Sequence, residues 1–359
     1  MAPDRGLHVV ILAGGIGARL WPISRRSRPK QFQPLLSHRT LLEETYLRIE
    51  PLSKPDRTWV VTGGEFVDLV HAQLPHLPLE NILGEPIGRN SAPAAALAVA
   101  RIARTQPNAL VLVTPADSFI GDAVAYRDYV GTAVEAAEGG FIAVLGVMPS
   151  HPETGYGYIQ RGERLRMPAS GAYRVARFTE KPDEQTAERY LAHGGYYWNM
   201  GQFIFQAEHF MERCALHLPE VASAAHTLGD PDVPTGDLIE QLYRDLPSIS
   251  IDYGIAEQEE DMAVVPTALE WSDVGSWRAV KEIVRRRGPL ALQGENHIQV
   301  GAKNSLVVTR SGRLVVTVGV EGCVIVDTDD ALLIVQEDSA QQVRDALEEI
   351  ARRGKEEHL

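Results

Sequence analysis

The sequence predicts an α/β protein, a mostly parallel sheet flanked by helices, with a small C-terminal β domain after it. Three observations point there. Short β-branched apolar runs alternate with helical stretches through the first half, the pattern of strands joined by crossover helices. The first apolar run ends in a glycine-rich turn, and sheets of this class bind ligands at such strand ends. After Arg285-Arg286-Arg287-Gly288-Pro289 the helical period stops, and Val, Ile and Thr dominate.

In order, residues 7–12 read as a buried strand, followed by strands at 58–62 (TWVVT), 109–114 (ALVLVT) and 141–147 (FIAVLGV). Residues 41–49, 92–104 and 126–138 carry helical composition between them. Residues 304–335 break into short strands at Ser311-Gly312 and Glu321-Gly322, and 341–355 reads as an amphipathic terminal helix. The expected division is a large domain over 1–286 and a β domain with its terminal helix over 287–359.

Composition bounds the function. A chain of 359 residues with 44% hydrophobic and 23% charged residues is ordinary for a soluble globular protein. Its net charge of −13 argues against nucleic acid and anionic membrane as partners. Cys214 and Cys323 lie far apart with no metal-ligand spacing, as in a reducing compartment. The N-terminal apolar run is too short for a signal-peptide core and nothing reaches transmembrane length, so the expected location is cytoplasmic.

Residues 9–32 (VVILAGGIGARLWPISRRSRPKQF) organise the rest. Leu12 and Ala13 lead from the strand into the turn and, with Gly14, Gly15 and Gly17, are the expected nucleotide-binding segment, the glycines letting backbone N–H groups approach phosphate oxygens. Arg19, Arg25, Arg26, Arg28 and Lys30 then form a cationic patch on an acidic chain, suited to a small polyanion. No Gly-Lys-Ser/Thr follows, which excludes the P-loop. The glycine spacing is too short for the dinucleotide fingerprint, which argues against a nicotinamide dehydrogenase.

Further segments have both a plain and a functional reading. EPIGRNSAPA (85–94) is a turn feeding an alanine-rich helix, with Asn90 or Ser91 as N-cap. Asp117 in TPAD follows the strongest strand, where it either caps a turn or points into a cleft. Asp273 in WSDVGSW precedes Gly275, which permits a tight turn. Two carboxylates facing a phosphate loop suit Mg²⁺, which takes one or two carboxylates plus phosphate oxygens. Glu180-Lys181 in FTEKP can be an exposed pair, and Asp252 in SIDYGIAE can simply cap a helix.

The pattern GGxGxRLxP with SRxxxPKQF resembles the signature of sugar-nucleotide pyrophosphorylases. Its Trp and Lys-Gln-Phe variant is similar to the mannose-1-phosphate guanylyltransferase family. The match extends from the N-terminus to about Arg344. The resemblance implies a Rossmann-like nucleotidyltransferase domain with a β-helix-like appendage that often pairs subunits, hence a homodimer. It implies GMP transfer from GTP to mannose 1-phosphate with Mg²⁺ on Asp117 and Asp273, and Arg19 and Lys30 on the departing pyrophosphate. Glu85, Gly88, Arg89, Asn90 and Ser91 would contact the base, Ser91 replacing the usual threonine. Gly157 (in GYGYI), Glu180, Lys181, Asn199 (in WNMGQF) and Asp252 would hold the sugar phosphate. Ser118 stands where a histidine is common, which leaves the metal role of Asp117 intact. Longer relatives add a phosphomannose isomerase domain, an activity not expected here. The competing readings are a sister enzyme for another base or sugar, such as a heptose phosphate, and a noncatalytic nucleotide-sugar-binding homologue. Lys30 and Asp273, both present, argue against the last.

Overall fold

The strand β1 (His8–Ala13) is buried along nearly its whole length, because it lies parallel between β2 (Thr58–Gly63) and β4 (Leu110–Pro115) with both faces of the sheet covered. The computed structural model describes residues 6–166, 171–230, 236–288 and 296–359. These fall into two compact units. One holds the chain up to Gly14, Leu47–Pro115 and Ile120–Trp271; the other holds Gly15–Tyr46, Ala116–Phe119 and Ser272–Leu359.

The first unit is built on a nine-stranded sheet. After β1 come α1 (Leu41–Ile49), which runs from the second unit into the first, then β2, α2 (Val67–Gln73), β3 (Ile82–Glu85), α3 (Ser91–Thr105) and β4. The two-residue strand β5 (Phe119–Ile120), α4 (Ala123–Glu138), β6 (Ile142–Val147), β7 (Tyr158–Arg164), β8 (Tyr173–Thr179), α5 (Glu184–His193) and β9 (Tyr196–Gln206) follow. Three helices, α6 (Ala207–His217), α7 (Pro219–Leu228) and α8 (Gly236–Asp245), precede β10 (Met262–Thr267) and β11 (Trp271–Ser272). The sheet order is β3-β2-β1-β4-β9-β6-β10-β8-β7. It is mixed because β9 runs antiparallel to both β4 and β6. The strands and helices expected from the apolar runs are present, with bounds shifted by three residues or fewer. Nearly every residue of α3 from Ala92 to Ile102 is buried, since the helix lies against the sheet on one side and α6 and α7 on the other. Only small side chains permit that close approach, hence its alanines.

The second unit contains α9 (Trp277–Arg287), β12 (His297–Val300), β13 (Leu306–Thr309), β14 (Val315–Val318), β15 (Cys323–Asp327), β16 (Leu332–Gln336) and α10 (Val343–Arg352). Each early strand pairs in parallel with the strand 18 residues further on, His297 with Val315 and Leu306 with Val324. That constant offset is a solenoid coil, in which each turn stacks on the next. Leu306, Val308, Val324 and Val326 form its core with Trp277, Val280 and Ile283 of α9, and with Leu20, Trp21 and Ile23 from the signature stretch. Pro289 lies outside the described residues. Among the described residues no helix is long and apolar enough to cross a membrane.

Candidate active site

Three residues widely separated in sequence meet at one nitrogen in the second unit. Lys30 Nζ lies 3.0 Å from Asp117 Oδ2 and donates to the backbone carbonyls of Asp273 (2.9 Å) and Val274 (3.3 Å). The lysine is 7% exposed. Its stem lies over Gly17, where a Cβ would come within 2.5 Å of Lys30 Cγ, so only glycine lets it pass. Gly17 also has φ 70°, a left-handed conformation glycine adopts without strain. Val274 is fully buried at φ 48°, a rare conformation for a β-branched residue. That turn aims two successive carbonyls at the ammonium. One oxygen of Asp273 accepts from Gly275 N–H at 3.0 Å, and a Cβ on Gly275 would sit 2.3 Å from the other.

The rest of the cationic patch divides. Gly15 and Arg19 are exposed. Arg25 turns inward instead, donating to the carbonyls of Pro22 and His358 and pairing with Asp330, so it braces the unit and is not presented to a ligand. Arg28 Nε donates to Phe32 O.

In the first unit, Leu12 and Ala13 close β1, and Ala13 O accepts from Thr62 Oγ1 at 3.0 Å. Gly14 follows, exposed, with Glu85 Oε2 3.8 Å from where its Cβ would be. Glu85 ends β3 and is 4% exposed, and its Oε1 is buried without a hydrogen-bond partner among the described residues. Burial pushes its carboxyl up to about 8, against a smaller opposing effect of Tyr243. Gly88 and Asn90 are exposed. Asn90 is the N-cap of α3, accepting from Ser91 N–H at 2.8 Å with φ 71°. Arg89 and Ser91 are braces here: Arg89 donates to the carbonyls of Tyr243 and Arg244 at the end of α8, and Ser91 Oγ accepts from Ile251 N–H. Those terminal carbonyls lack helical partners, which is why a guanidinium settles on them.

The remaining candidates form a second cluster in this unit. Gly157 O accepts from Asn199 N–H (2.8 Å), and Asn199 Nδ2 donates to Asp252 Oδ1 (2.7 Å). Glu180 and Lys181 pair directly, and the Glu180 N–H donates to Glu257 Oε1 at 2.7 Å. A Cβ on Gly157 would lie 2.5 Å from Glu180 Oε2, so this glycine makes room for the carboxylate. Asp252 opens a π-helical turn, Asp252–Ala256, and does not cap a helix with its side chain. Burial and the neighbouring Asp252 raise the Glu180 pKa, and burial also raises that of Asp252. Burial works against the Lys181 ammonium, yet Glu180 and Asp252 hold its pKa above the ordinary lysine value. Lys181 itself has φ 47°. Glu257 and Tyr243 carry no motif that singles them out in the sequence. Of the four described non-glycine residues with positive φ, Asn90, Lys181, Val274 and Asn304, three fall among or beside the candidate site residues, a feature available only from the structure.

The donor set at Lys30 fits a divalent ion. One carboxylate oxygen of Asp117 and the main-chain carbonyl of Asp273 already meet a positive charge, and the Asp273 carboxylate lies on the same turn. Mg²⁺ takes such a sparse protein set when substrate phosphates complete it.

The geometry is that of a phosphate-handling α/β enzyme, and comparison agrees. Residues 8–287 match the nucleotidyl transferase family, and the chain belongs to it. Residues 295–350 match the mannose-phosphate isomerase/GMP-like β-helix domain. The mannose-1-phosphate guanylyltransferase of Escherichia coli K12 is 39% identical over 98% of this chain and 75% of its own length. The xanthan biosynthesis protein XanB of Xanthomonas campestris is also 39% identical, over 97% of this chain and 74% of its own. A crystal structure from Thermus thermophilus, named as a mannose-1-phosphate geranyltransferase, superposes with a TM-score of 0.85 at 36% identity, covering 96% of this chain and 99% of that one.

Proposed function

We propose that the protein transfers GMP from GTP to mannose 1-phosphate, giving GDP-mannose and pyrophosphate. The observation that carries this reading is the meeting of Lys30, Asp117 and Asp273 at one nitrogen, in a chain 39% identical to a mannose-1-phosphate guanylyltransferase along almost its whole length. A phosphate oxygen of the sugar phosphate attacks the α-phosphorus of GTP, and the bond to the β-phosphate oxygen breaks as pyrophosphate leaves. The monoester is largely a dianion at neutral pH, its second pKa being about 6, so no base is needed to activate it. The task left to the protein is positioning and neutralising charge.

Each role is assigned within one unit. In the second, the exposed Arg19 and the Lys30 ammonium meet the departing pyrophosphate, and Gly15 and Gly17 keep the loop free of side chains. Asp117 and Asp273 would hold Mg²⁺. When bound, Mg²⁺ supplies positive charge to the phosphates. In the first unit, Gly14 continues the phosphate loop, and Glu85 offers an oxygen buried without a partner among the described residues to the N–H donors of guanine. Gly88, Arg89, Asn90 and Ser91 hold that segment in place. Lys181 neutralises the sugar phosphate, and Glu180, Asn199 and Asp252 accept or donate to sugar hydroxyls beside Gly157.

The catalytic domain is taken as 1–286 and the β domain as 287–359, the latter joining two copies in a homodimer. Two free thiols, Cys214 and Cys323, support a reducing cytoplasm as the compartment. The test is pyrophosphate release from each of the four nucleoside triphosphates, with and without mannose 1-phosphate. We expect release that needs the sugar phosphate and favours GTP over ATP by at least roughly a hundredfold in kcat/KM. A preference for UTP or dTTP would move the enzyme to a sister activity on the same fold.

A further inference from the structure

We infer that Lys30 fills the cation position of the substrate-free enzyme, so that a divalent ion binds there only when nucleotide phosphates draw the ammonium away. The inference rests on the assignment of Asp117 and Asp273 to that ion, and concerns what holds their place before it arrives. An ammonium has three N–H donors, and Lys30 Nζ finds three oxygens: Asp117 Oδ2 at 3.0 Å, Asp273 O at 2.9 Å and Val274 O at 3.3 Å. Its demand is met by one carboxylate oxygen of Asp117, which would serve the ion, and by two main-chain carbonyls of the turn that carries Asp273.

The arrangement is built in. The lysine stem runs in the space left by the missing side chain of Gly17, and the two carbonyls are presented by a valine held at φ 48°. A strained backbone turn persists only where surrounding structure fixes it. A divalent ion cannot share Asp117 Oδ2 with an ammonium without strong repulsion between the two cations. Entering alone, it would have to expel Lys30 and leave a charge that is 7% exposed without its partners, which is costly. Phosphate oxygens of an incoming nucleotide give the ammonium new partners and complete the ion's shell. Ion and nucleotide therefore help one another to bind, and by linkage each raises the other's affinity equally.

The same exchange gives Lys30 two successive tasks. It first pairs with the Asp117 carboxylate and holds the Asp273–Val274 turn through its carbonyls. It then moves onto the phosphates, where the reaction needs it.

The test follows Mn²⁺ as a paramagnetic substitute, using water-proton relaxation to separate protein-bound from free ion. Wild type is compared with Lys30→Met and Lys30→Gln, the second keeping a polar stem; circular dichroism checks each fold. Without nucleotide, both variants should bind Mn²⁺ at least about tenfold more tightly than wild type, because the competing charge is gone. Adding Asp117→Asn to Lys30→Met should return the affinity to the wild-type level or below. Equal or weaker Mn²⁺ binding by both variants would overturn the inference. If wild type still bound Mn²⁺ in the presence of GTP, the functional reading would survive that result. Failure of every protein to bind Mn²⁺ even with GTP would instead overturn the metal assignment itself.

Discussion

Glu85 keeps one carboxylate oxygen buried and without a partner among the described residues, which is costly unless the group holds a proton or meets a donor. Its pKa is pushed by burial from an ordinary value near 4.5 up to about 8. The folded protein therefore binds a proton that the unfolded chain releases between those values. Stability lost to this residue grows as pH rises through that window, by roughly 1.4 kcal/mol per unit, and levels off above pH 8. Guanine reverses the balance, because its two N–H donors favour the ionised carboxylate. GTP binding at pH 7 should thus release close to one proton, and GTP affinity should rise with pH until about 8. Titration calorimetry in buffers of different protonation enthalpy measures this; no proton release from wild type at pH 7 would refute the role. Glu85→Gln should abolish the release and narrow the advantage of GTP over ATP. Residue types at the candidate site were legible in the sequence, since Asp117 and Asp273 follow strand ends and Lys30 closes the glycine- and arginine-rich signature stretch. How they meet was not. The turn that joins them holds a valine at φ 48°, against that residue's local preference, and Arg89 and Ser91 are turned to bracing by partners 150 or more residues away.

Among elements, the signature stretch depends on the far end of the chain. Trp21 Nε1 donates to His358 O at 2.6 Å, Trp21 O accepts from Trp277 Nε1 at 2.8 Å, and the Arg25 guanidinium lies 5.3 Å from the Trp21 ring centroid. Asp330 ties Arg25 and His358 together. Trp21 is buried, so losing its N–H removes one of the two donors to the His358 carbonyl, Arg25 being the other. Trp21→Phe should lower unfolding free energy by about 1–2 kcal/mol, from the hydrogen bond and the smaller ring. Urea unfolding reads this directly, and an unchanged midpoint and slope would refute the bracing. The β-branched runs made the C-terminal strands visible in sequence, but not their coiling. That follows from the 18-residue offset of His297 to Val315 and Leu306 to Val324, and these coils share spacing without sharing a repeated motif.

At the scale of the whole molecule, an apolar row among the described residues stays open to water. In the parallel pair of β12 and β14, Ile298 lies beside Val316 and Val300 beside Val318, and register partners two apart point to the same face. Ile298, Val316, Val300 and Val318 are 50%, 51%, 53% and 68% exposed, although they are the side chains a strand normally buries. Soluble monomers seldom leave such a row of adjacent β-branched residues uncovered. A second copy is the simplest cover, because a two-fold axis lets the same patch meet itself. Each glutamate placed there would be desolvated and would face its own copy across the axis, adding like-charge repulsion to the cost of burial. Val318→Glu, at the most exposed of the four, should therefore convert a dimer into a monomer while unfolding at a midpoint close to the wild-type monomer's. Light scattering after size exclusion, run over a range of protein concentrations, gives the mass. A wild-type chain that is monomeric at every concentration, or a Val318→Glu variant that remains dimeric, would place the subunit contact elsewhere or remove it.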